Sequence, residues 1–208
     1  MRIIILITLA IFAFAVCENP VAKQWENQWE AEFSEDIYVP IFGTDKVKGK
    51  WVYDFTNKNF FISRDNGMKD RYCGSIYKFQ KTPCNQIVRD GVRYMHFPKK
   101  NFCCRCCTNK GGCGIVKPDW VVQASYVGEG TEDGIPRNLF NVKGLQNNYY
   151  DESKEGQKPL RIFQDPLSNM KFNPNTYNTT IDHSVFELPK DLNCEQSCGA
   201  ISICAMLK

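Results

Sequence analysis

Residues 87–97, IVRDGVRYMHF, decide the class of fold because they predict two strands joined by a tight turn. The apolar pair Ile87-Val88 ends at Asp90-Gly91, and a second apolar run follows immediately. An Asp-Gly pair tolerates the positive φ angles of a hairpin turn, so this segment predicts an antiparallel strand pair.

Similar patterns extend along the chain on both sides of this hairpin. Trp51, Tyr53 and Phe55 occupy every second position and therefore share one face of a predicted strand. Apolar residues alternate in the same way at 29–33, although 25–33 would also fit a helix. Sustained helical periodicity is found nowhere, so the chain is predicted to be mostly β structure with few short helices.

Turn residues divide the remaining sequence into shorter pieces. Residues 60–62 lead to Asn66-Gly67, which we interpret as a second hairpin turn. Segments rich in Gly, Pro and charge at 129–137 and 151–159 are predicted loops. Further predicted strands are 121–127, 160–164 and 184–188, with a turn as the alternative for 119–124.

The N-terminus has the layout of a secretory signal peptide. Arg2 is followed by an apolar run over residues 3–16 and then by polar residues, which predicts a signal peptide at 1–17 and one mature domain at 18–208. Cleavage after Ala15 fits as well as cleavage after Cys17. A membrane-spanning helix needs roughly 20 apolar residues, so the 14-residue run at 3–16 is short for an anchor, and no apolar segment of spanning length follows it. The predicted location is therefore outside the cell or in the lumen of the secretory or lysosomal pathway.

The cysteine count supports the same compartment. Setting aside Cys17, ten of the 11 cysteines remain, an even number that permits five disulfides. A zinc site within residues 103–107 is the alternative, since those cysteines also have metal-ligand spacing. Adjacent cysteines in a strand point to opposite faces, so Cys103 and Cys104 should join different neighbours, for instance one towards Cys73 or Cys84 and one towards the C-terminal group. The predicted disulfide cysteines are Cys73, Cys84, Cys103, Cys104, Cys106, Cys107, Cys113, Cys194, Cys198 and Cys204.

The sequence argues against several functional classes. The formal charge of +3 is spread along the chain with both signs, unlike a nucleic-acid-binding surface. No hydrolase, metalloprotease, phosphate-loop or EF-hand motif is present. Cys198 and His183 would allow a thiol protease only if the cysteine were free, and a disulfide would silence it. His96 is interpreted as an ordinary strand residue. We therefore predict a protein that is not an enzyme.

Two surface features are candidate sites. Asn178-Thr179-Thr180 is an N-glycosylation acceptor in a turn-rich stretch, so Asn178 is the predicted glycan site. Two predicted loops carry acidic residues that would bind calcium if the loops converge, although solvated loops are the simpler interpretation. These residues are Glu129, Glu132, Asp133, Asp151, Glu152 and Glu155.

A series of landmarks follows in a definite order over about 145 residues. An aromatic strand ends in Tyr53-Asp54, and the C-terminal signature at 182–189 precedes a cysteine. The other landmarks are Arg64, Cys84, Asp90-Gly91, Tyr94, Cys103 or Cys104, Pro118 and the segment 124–128. Their order resembles that of the ependymin-related secreted glycoproteins. The cysteines at 103–107, Cys198 and Cys204 exceed the usual set of that family, and His183 stands where proline is common.

This resemblance implies a fold similar to that of bacterial lipoprotein carriers, with curved antiparallel sheets that form a half-barrel or sandwich around an apolar pocket. It also implies a homodimer and calcium association. An aromatic-rich sheet has to bury its apolar face against another sheet or an apolar ligand. We therefore expect binding of a hydrophobic small molecule or lipid, with an extracellular structural or adhesive protein with a filled core as the alternative. The predicted pocket residues are Trp51, Tyr53, Phe55, Phe61, Tyr94 and Trp120.

Overall fold

A computed structural model describes residues 18–144 and 146–207. Its main feature is one 11-stranded antiparallel sheet in the order β6-β5-β4-β3-β2-β1-β11-β10-β9-β8-β7. The predicted mostly β fold is confirmed, in the form of a single open sheet rather than two packed sheets. The predicted signal peptide lies outside the described residues.

Strands that are consecutive in the sequence are neighbours in the sheet, except that β6 and β7 lie at its opposite edges. The pairing of β1 with β11 brings the two halves of the chain together. The two longest strands form the middle of the sheet. The strands are β1 (Gln28–Val39), β2 (Gly43–Asp54), β3 (Asn59–Arg64), β4 (Cys84–Arg89), β5 (Val92–Phe97), β6 (Phe102–Thr108), β7 (Ser125–Glu132), β8 (Ile135–Val142), β9 (Asn148–Ser153), β10 (Pro159–Gln164) and β11 (Ser168–Phe172). Two one-turn helices, α1 (Cys73–Ile76) and α2 (Ile203–Met206), and four 3₁₀ turns at Pro98–Lys100, Asn109–Gly111, Pro174–Thr176 and His183–Phe186 complete the described structure.

The sheet curves around one of its faces. Arg93 in β5 and Ile162 in β10 line the same cleft, although five strands lie between β5 and β10 in the sheet. In a flat sheet, β5 and β10 would be roughly 29 Å apart. Curvature of the sheet brings the two residues to one cleft. We call the face that carries Trp51 and Ile62 the cleft face and the face that carries Phe61 and Tyr94 the outer face.

Glycine-containing turns account for two hairpins. Asp90 and Gly91, at φ 51° and 74°, join β4 to β5 as the sequence predicts. Asp133 and Gly134, at φ 51° and 78°, join β7 to β8 in the same way. The predicted loop at 129–137 is therefore wrong. Apart from Asp133 in the turn, its charged residues lie in two paired strands, because the Asp-Gly turn signal outweighs the polar composition.

Four other sequence predictions are corrected. Asn66-Gly67 does not form a tight hairpin, because 19 residues including α1 separate β3 from β4. Residues 118–123 form turns, so the strand predicted at 121–127 starts only at Ser125. The strand predicted at 184–188 is instead the 3₁₀ turn His183–Phe186, whose first turn is capped by Asp182. The loop predicted at 151–159 is shorter, because β9 continues to Ser153.

Five disulfides join the ten cysteines of the described chain. Cys103 and Cys104 leave opposite faces of β6, as the alternation predicts, but both join the C-terminal segment, Cys103 to Cys194 and Cys104 to Cys198. Neither bonds Cys73 or Cys84, which bond each other, and this corrects the suggested neighbour. The remaining bonds are Cys106–Cys204 and Cys107–Cys113.

The C-terminal segment covers the β6 edge of the sheet. Leu188 and Leu192 pack on the outer face near Tyr94, whereas Cys198 packs near Met95 on the cleft face. Between them, the Arg105 backbone N–H donates to the Gln196 carbonyl over 2.8 Å. Covering an edge strand in this way prevents its unpaired backbone groups from pairing with another chain. Within the described residues, no helix has the length and apolar character needed to cross a membrane.

Candidate ligand-binding cleft

Aromatic side chains fill one half of the cleft face. Trp25, from the segment before β1, makes edge-on contacts with Trp29, Trp51, Tyr53 and Trp120, at ring-centroid distances of 5.1 to 5.9 Å. Such edge-to-face geometry is favourable because the positive edge of one ring meets the negative face of another. This half of the sheet is a packed core.

The other half of the cleft face is open and forms a cleft of about 720 Å³. That volume falls in the range of roughly 300–1,000 Å³ typical of small-molecule sites. Strands from both halves of the chain contribute to its walls because the sheet curves. The apolar and aromatic lining residues are Ile37, Tyr38, Val39, Pro40, Trp51, Ile62, Tyr72, Ile162, Leu167 and Met170.

Buried charges form part of the cleft lining. The Arg64 guanidinium lies 2.7 Å (Nε) from Glu35 Oε2 and 3.3 Å (Nη1) from Asp70 Oδ2, and all three side chains are less than 9% exposed. Ser168 donates to the other Glu35 oxygen over 2.6 Å, and Gln86 donates to Asp70 over 3.1 Å. Burial opposes the charge of Arg64, but Asp70 and Glu35 outweigh it and raise the pKa of the guanidinium.

Arg93 lies beside this network. Its Nη1 donates to Gln86 Oε1 over 2.8 Å, and its guanidinium carbon lies 4.4 Å from the ring centroid of Tyr72 and 5.0 Å from that of Phe60. The side chain is 8% exposed and lines the cleft. Burial lowers the pKa of Arg93 because the charged form loses its hydration, although Tyr72 and Asp70 act in the opposite direction.

The structure places four of the six predicted pocket residues on the cleft face. Trp51 is half-buried and lines the open cleft. Tyr53 and Trp120 belong to the packed aromatic half, where Tyr53 is fully buried. Phe55 stacks on Tyr53 at 6.4 Å and lines a separate surface groove with Ile115.

The other two predicted residues lie on the outer face. Phe61 follows Phe60 in β3 and therefore points to the opposite side of the sheet from Phe60 and Ile62. Tyr94 packs with Cys103 and Cys194, and its hydroxyl donates to Glu195 Oε1 over 2.8 Å. The C-terminal segment covers both residues, so they do not line the cleft.

Sequence reasoning missed the charged residues of the cleft, although a signal exists for one of them. Glu35 lies between Phe33 and Ile37 on one face of β1, and Arg93 shares its face of β5 with Met95. A charged residue at an inward-facing position of an alternating strand is uncommon and indicates a site or a buried ion pair. The alternation in β1 was therefore enough to single out Glu35, whereas β5 carries apolar residues on both faces and gives no such signal for Arg93.

Three of the six acidic residues considered for calcium form ion pairs with basic side chains. On the outer face, Asp151 Oδ2 lies 2.7 Å from both Arg137 and Arg161, and Glu132 bonds Arg137 and Lys171. Elsewhere, Glu129 bonds Lys154, Glu155 and Asp133 are exposed, and Glu152 is buried. Between residues 18 and 207, apart from residue 145, no three acidic, histidine or cysteine side chains form a group suited to a metal ion.

The two histidines occupy ordinary structural positions. His96 Nδ1 lies 3.3 Å from Asn85 Nδ2, and burial lowers the pKa of the ring. His183 Nδ1 lies 3.5 Å from the buried Asp54 carboxylate. Cys198, the thiol considered with His183, is bonded to Cys104 and therefore has no free thiolate.

Comparison with known proteins shows similarity of fold alone. No protein-family model matches the chain, and no curated protein matches it, so the resemblance to ependymin-related proteins stays a prediction. Among solved structures, an uncharacterized conserved protein from Thermus thermophilus is similar with a TM-score of 0.50 and 13% identity, over 83% of this chain and 93% of that one.

Two further solved structures show weaker similarity. A LolA superfamily protein, NE2245 from Nitrosomonas europaea, has a TM-score of 0.35 at 6% identity, over 78% of this chain and 91% of that one. A DUF1329 family protein from Desulfovibrio piger ATCC 29098 has a TM-score of 0.34 at 10% identity, over 77% of this chain and 90% of that one.

Proposed function

We propose that this protein is a non-catalytic carrier, secreted or lumenal, that binds an apolar ligand such as a lipid in the open half of its cleft face. The single observation that carries the proposal is the cleft itself, about 720 Å³, in which aliphatic and aromatic residues form an apolar wall beside a charged group. A packed core does not leave such a volume unfilled, because protein interiors reach the density of organic crystals. Five disulfides are typical of a protein that works in an oxidising, extracytoplasmic compartment.

Native mass spectrometry and solvent extraction of protein purified from a eukaryotic secretory host test this proposal. We expect acyl-bearing molecules to accompany the protein. Replacing Leu167, which lines the cleft and is 42% exposed, by Asp should reduce the bound amount at least several-fold, since a carboxylate in the wall opposes an apolar ligand.

Val127→Asp is the matched control, because Val127 is also exposed (55%) but lies in the edge strand β7, away from the cleft. It should leave the bound amount unchanged. Protein that carries no extractable ligand and binds no added lipid would contradict the carrier proposal. That result would favour the alternative, a structural or adhesive extracellular protein stabilised by its disulfides and aromatic core.

We also propose N-glycosylation at Asn178. Its side chain is exposed, and Asn178 Oδ1 accepts from the Thr180 backbone N–H over 3.0 Å in a turn that leaves the amide nitrogen accessible. A mass difference upon enzymatic deglycosylation that disappears in Asn178→Gln tests the site. Dimerisation and calcium association, which the family resemblance implies, stay predictions.

A further inference from the structure

The lining of the cleft contains more basic than acidic side chains. Glu35 and Asp70 are its two acidic residues, and both bond Arg64. The basic residues of the lining are Arg64, Lys69, Arg71 and Arg93, so the cleft carries an excess of positive charge.

Arg93 is the buried basic residue of the lining that no carboxylate bonds directly. Lys69 bonds Asp45, and Arg71 is exposed to solvent. Arg93 is more than nine-tenths buried, its Nε has no hydrogen-bond partner, and within the described part of the chain no carboxylate lies within 4.0 Å of it. Gln86 and the rings of Tyr72 and Phe60 are its neighbours.

We propose that Arg93 binds the acid headgroup, a carboxylate or a phosphate, of an amphipathic ligand whose apolar chain lies against Trp51, Ile162 and Met170. This inference rests on the proposed function of the cleft and specifies the chemical class of its ligand. Both the headgroup site and the apolar wall belong to the same cleft.

The chemistry of arginine supports this assignment. A buried cation that no carboxylate bonds directly is incompletely compensated for its lost hydration, and Asp70, which acts on Arg93 from a distance, is bonded to Arg64. A guanidinium presents several N–H donors in a planar fork that matches carboxylate and phosphate oxygens. Stacking on Tyr72 and Phe60 holds the fork in place. Nε itself has no exposed surface, so the acid would bind the part of the side chain that lines the cleft.

Binding of ligands that differ only in the headgroup tests the proposal on the unmodified protein. Isothermal titration calorimetry compares decanoate, decyl phosphate and 1-decanol, with inorganic phosphate as the free anion. We expect both acids to bind roughly tenfold or more tightly than the alcohol, the factor typical of one charge-assisted hydrogen bond, and inorganic phosphate to bind far more weakly.

Arg93→Gln separates the headgroup contact from the rest of the cleft. It should weaken decanoate binding by roughly tenfold or more and leave 1-decanol binding within about twofold, because the apolar wall is unchanged. Arg89→Gln is the control, since Arg89 lies in the neighbouring strand β4 and pairs with Asp90 and Glu187 away from the cleft. It should change neither affinity.

The outcomes distinguish this inference from the proposed function. If the unmodified protein binds neither decanoate nor decanol, the carrier function itself is overturned. Equal affinity for acid and alcohol, equal loss of both ligands in Arg93→Gln, or inorganic phosphate that binds as tightly as decyl phosphate would overturn the headgroup assignment. The comparison on the unmodified protein remains decisive if Arg93→Gln does not fold.

Discussion

At the scale of single residues, Tyr53 shows how the packed half of the cleft face is built. Its ring stacks on Trp29 at 5.6 Å and meets the edge of Trp25 at 5.5 Å, and its hydroxyl donates to the Val116 carbonyl over 2.8 Å. Burial raises the pKa of Tyr53, with a smaller contribution from Asp119, so the hydroxyl stays a donor. Tyr53 therefore links β2 to the segment that covers the aromatic core.

Truncation of Tyr53 should reduce stability more than ligand binding. We expect Tyr53→Ala to lower the free energy of unfolding by about 3–5 kcal/mol, through lost burial and a cavity. Tyr53→Phe should cost about 1 kcal/mol, because only the hydrogen bond to Val116 is lost. Denaturant unfolding with the disulfides intact measures both changes. Unchanged stability together with lost ligand binding would instead place Tyr53 in the ligand site, as the sequence suggests.

Glu152 is a buried carboxylate that joins the N-terminal segment to the sheet. Its Oε2 accepts from the Lys23 backbone N–H over 3.0 Å, and its side chain has no exposed surface. Burial raises the pKa of Glu152 to about 7, although the contact with Lys23 acts in the opposite direction. The folded protein therefore keeps this proton at pH values where an unfolded chain loses it.

This proton makes part of the stability depend on pH. Because the folded pKa is raised from 4.5 to about 7, the stabilisation is fully present below about pH 4.5 and is lost as the pH rises through about 7. The melting temperature of Glu152→Gln relative to the unmodified protein should increase between pH 5 and pH 8. Glu155→Gln, an exposed neighbour, should follow the unmodified protein. Parallel pH profiles for Glu152→Gln and the unmodified protein would refute this assignment.

At the scale of elements, β6 and the C-terminal segment form a ladder of three disulfides. Cys103–Cys194, Cys104–Cys198 and Cys106–Cys204 span sequence separations of 91, 94 and 98 residues. A lone bridge over 94 residues would contribute about 4–5 kcal/mol on the chain-entropy model. Within a ladder, the neighbouring bridges already close that long loop, so the middle bridge restricts only a few additional residues.

Removal of the middle bridge should therefore lower the free energy of unfolding only slightly. We expect the Cys104→Ala/Cys198→Ala variant to lose about 2 kcal/mol of unfolding free energy. The Cys73→Ala/Cys84→Ala variant, which removes a separate bridge over 11 residues, should lose a comparable amount, about 2–3 kcal/mol. Equilibrium unfolding of both variants without reductant makes the comparison. A loss of 4–5 kcal/mol for the middle bridge alone would show that its neighbours do not hold the segment.

At the scale of the whole molecule, the curved sheet divides one face into two unequal environments. The segments around Trp25 and Trp120 cover the aromatic half, and aliphatic and charged residues line the open half. The two halves share side chains of the same strands, since Trp51 of β2 contacts Trp25 and also lines the cleft. The five disulfides lie to one side of this arrangement, around β6 and α1, so they stabilise the fold without occupying the cleft.

The sequence by itself determined the strand-rich class, the Asp90-Gly91 hairpin and the even set of cysteines. These features are local, because turn geometry and the alternation of side chains depend on residues a few positions apart. Only the tertiary structure decided that Trp51 lines the cleft while Tyr53, two positions away on the same face, is core. It also decided that Arg93 and Ile162 share one cleft and that Cys103 joins Cys194. Such outcomes depend on the curvature of the whole sheet and on which segments cover it, and contacts between distant parts of the chain leave no periodic signal in the sequence.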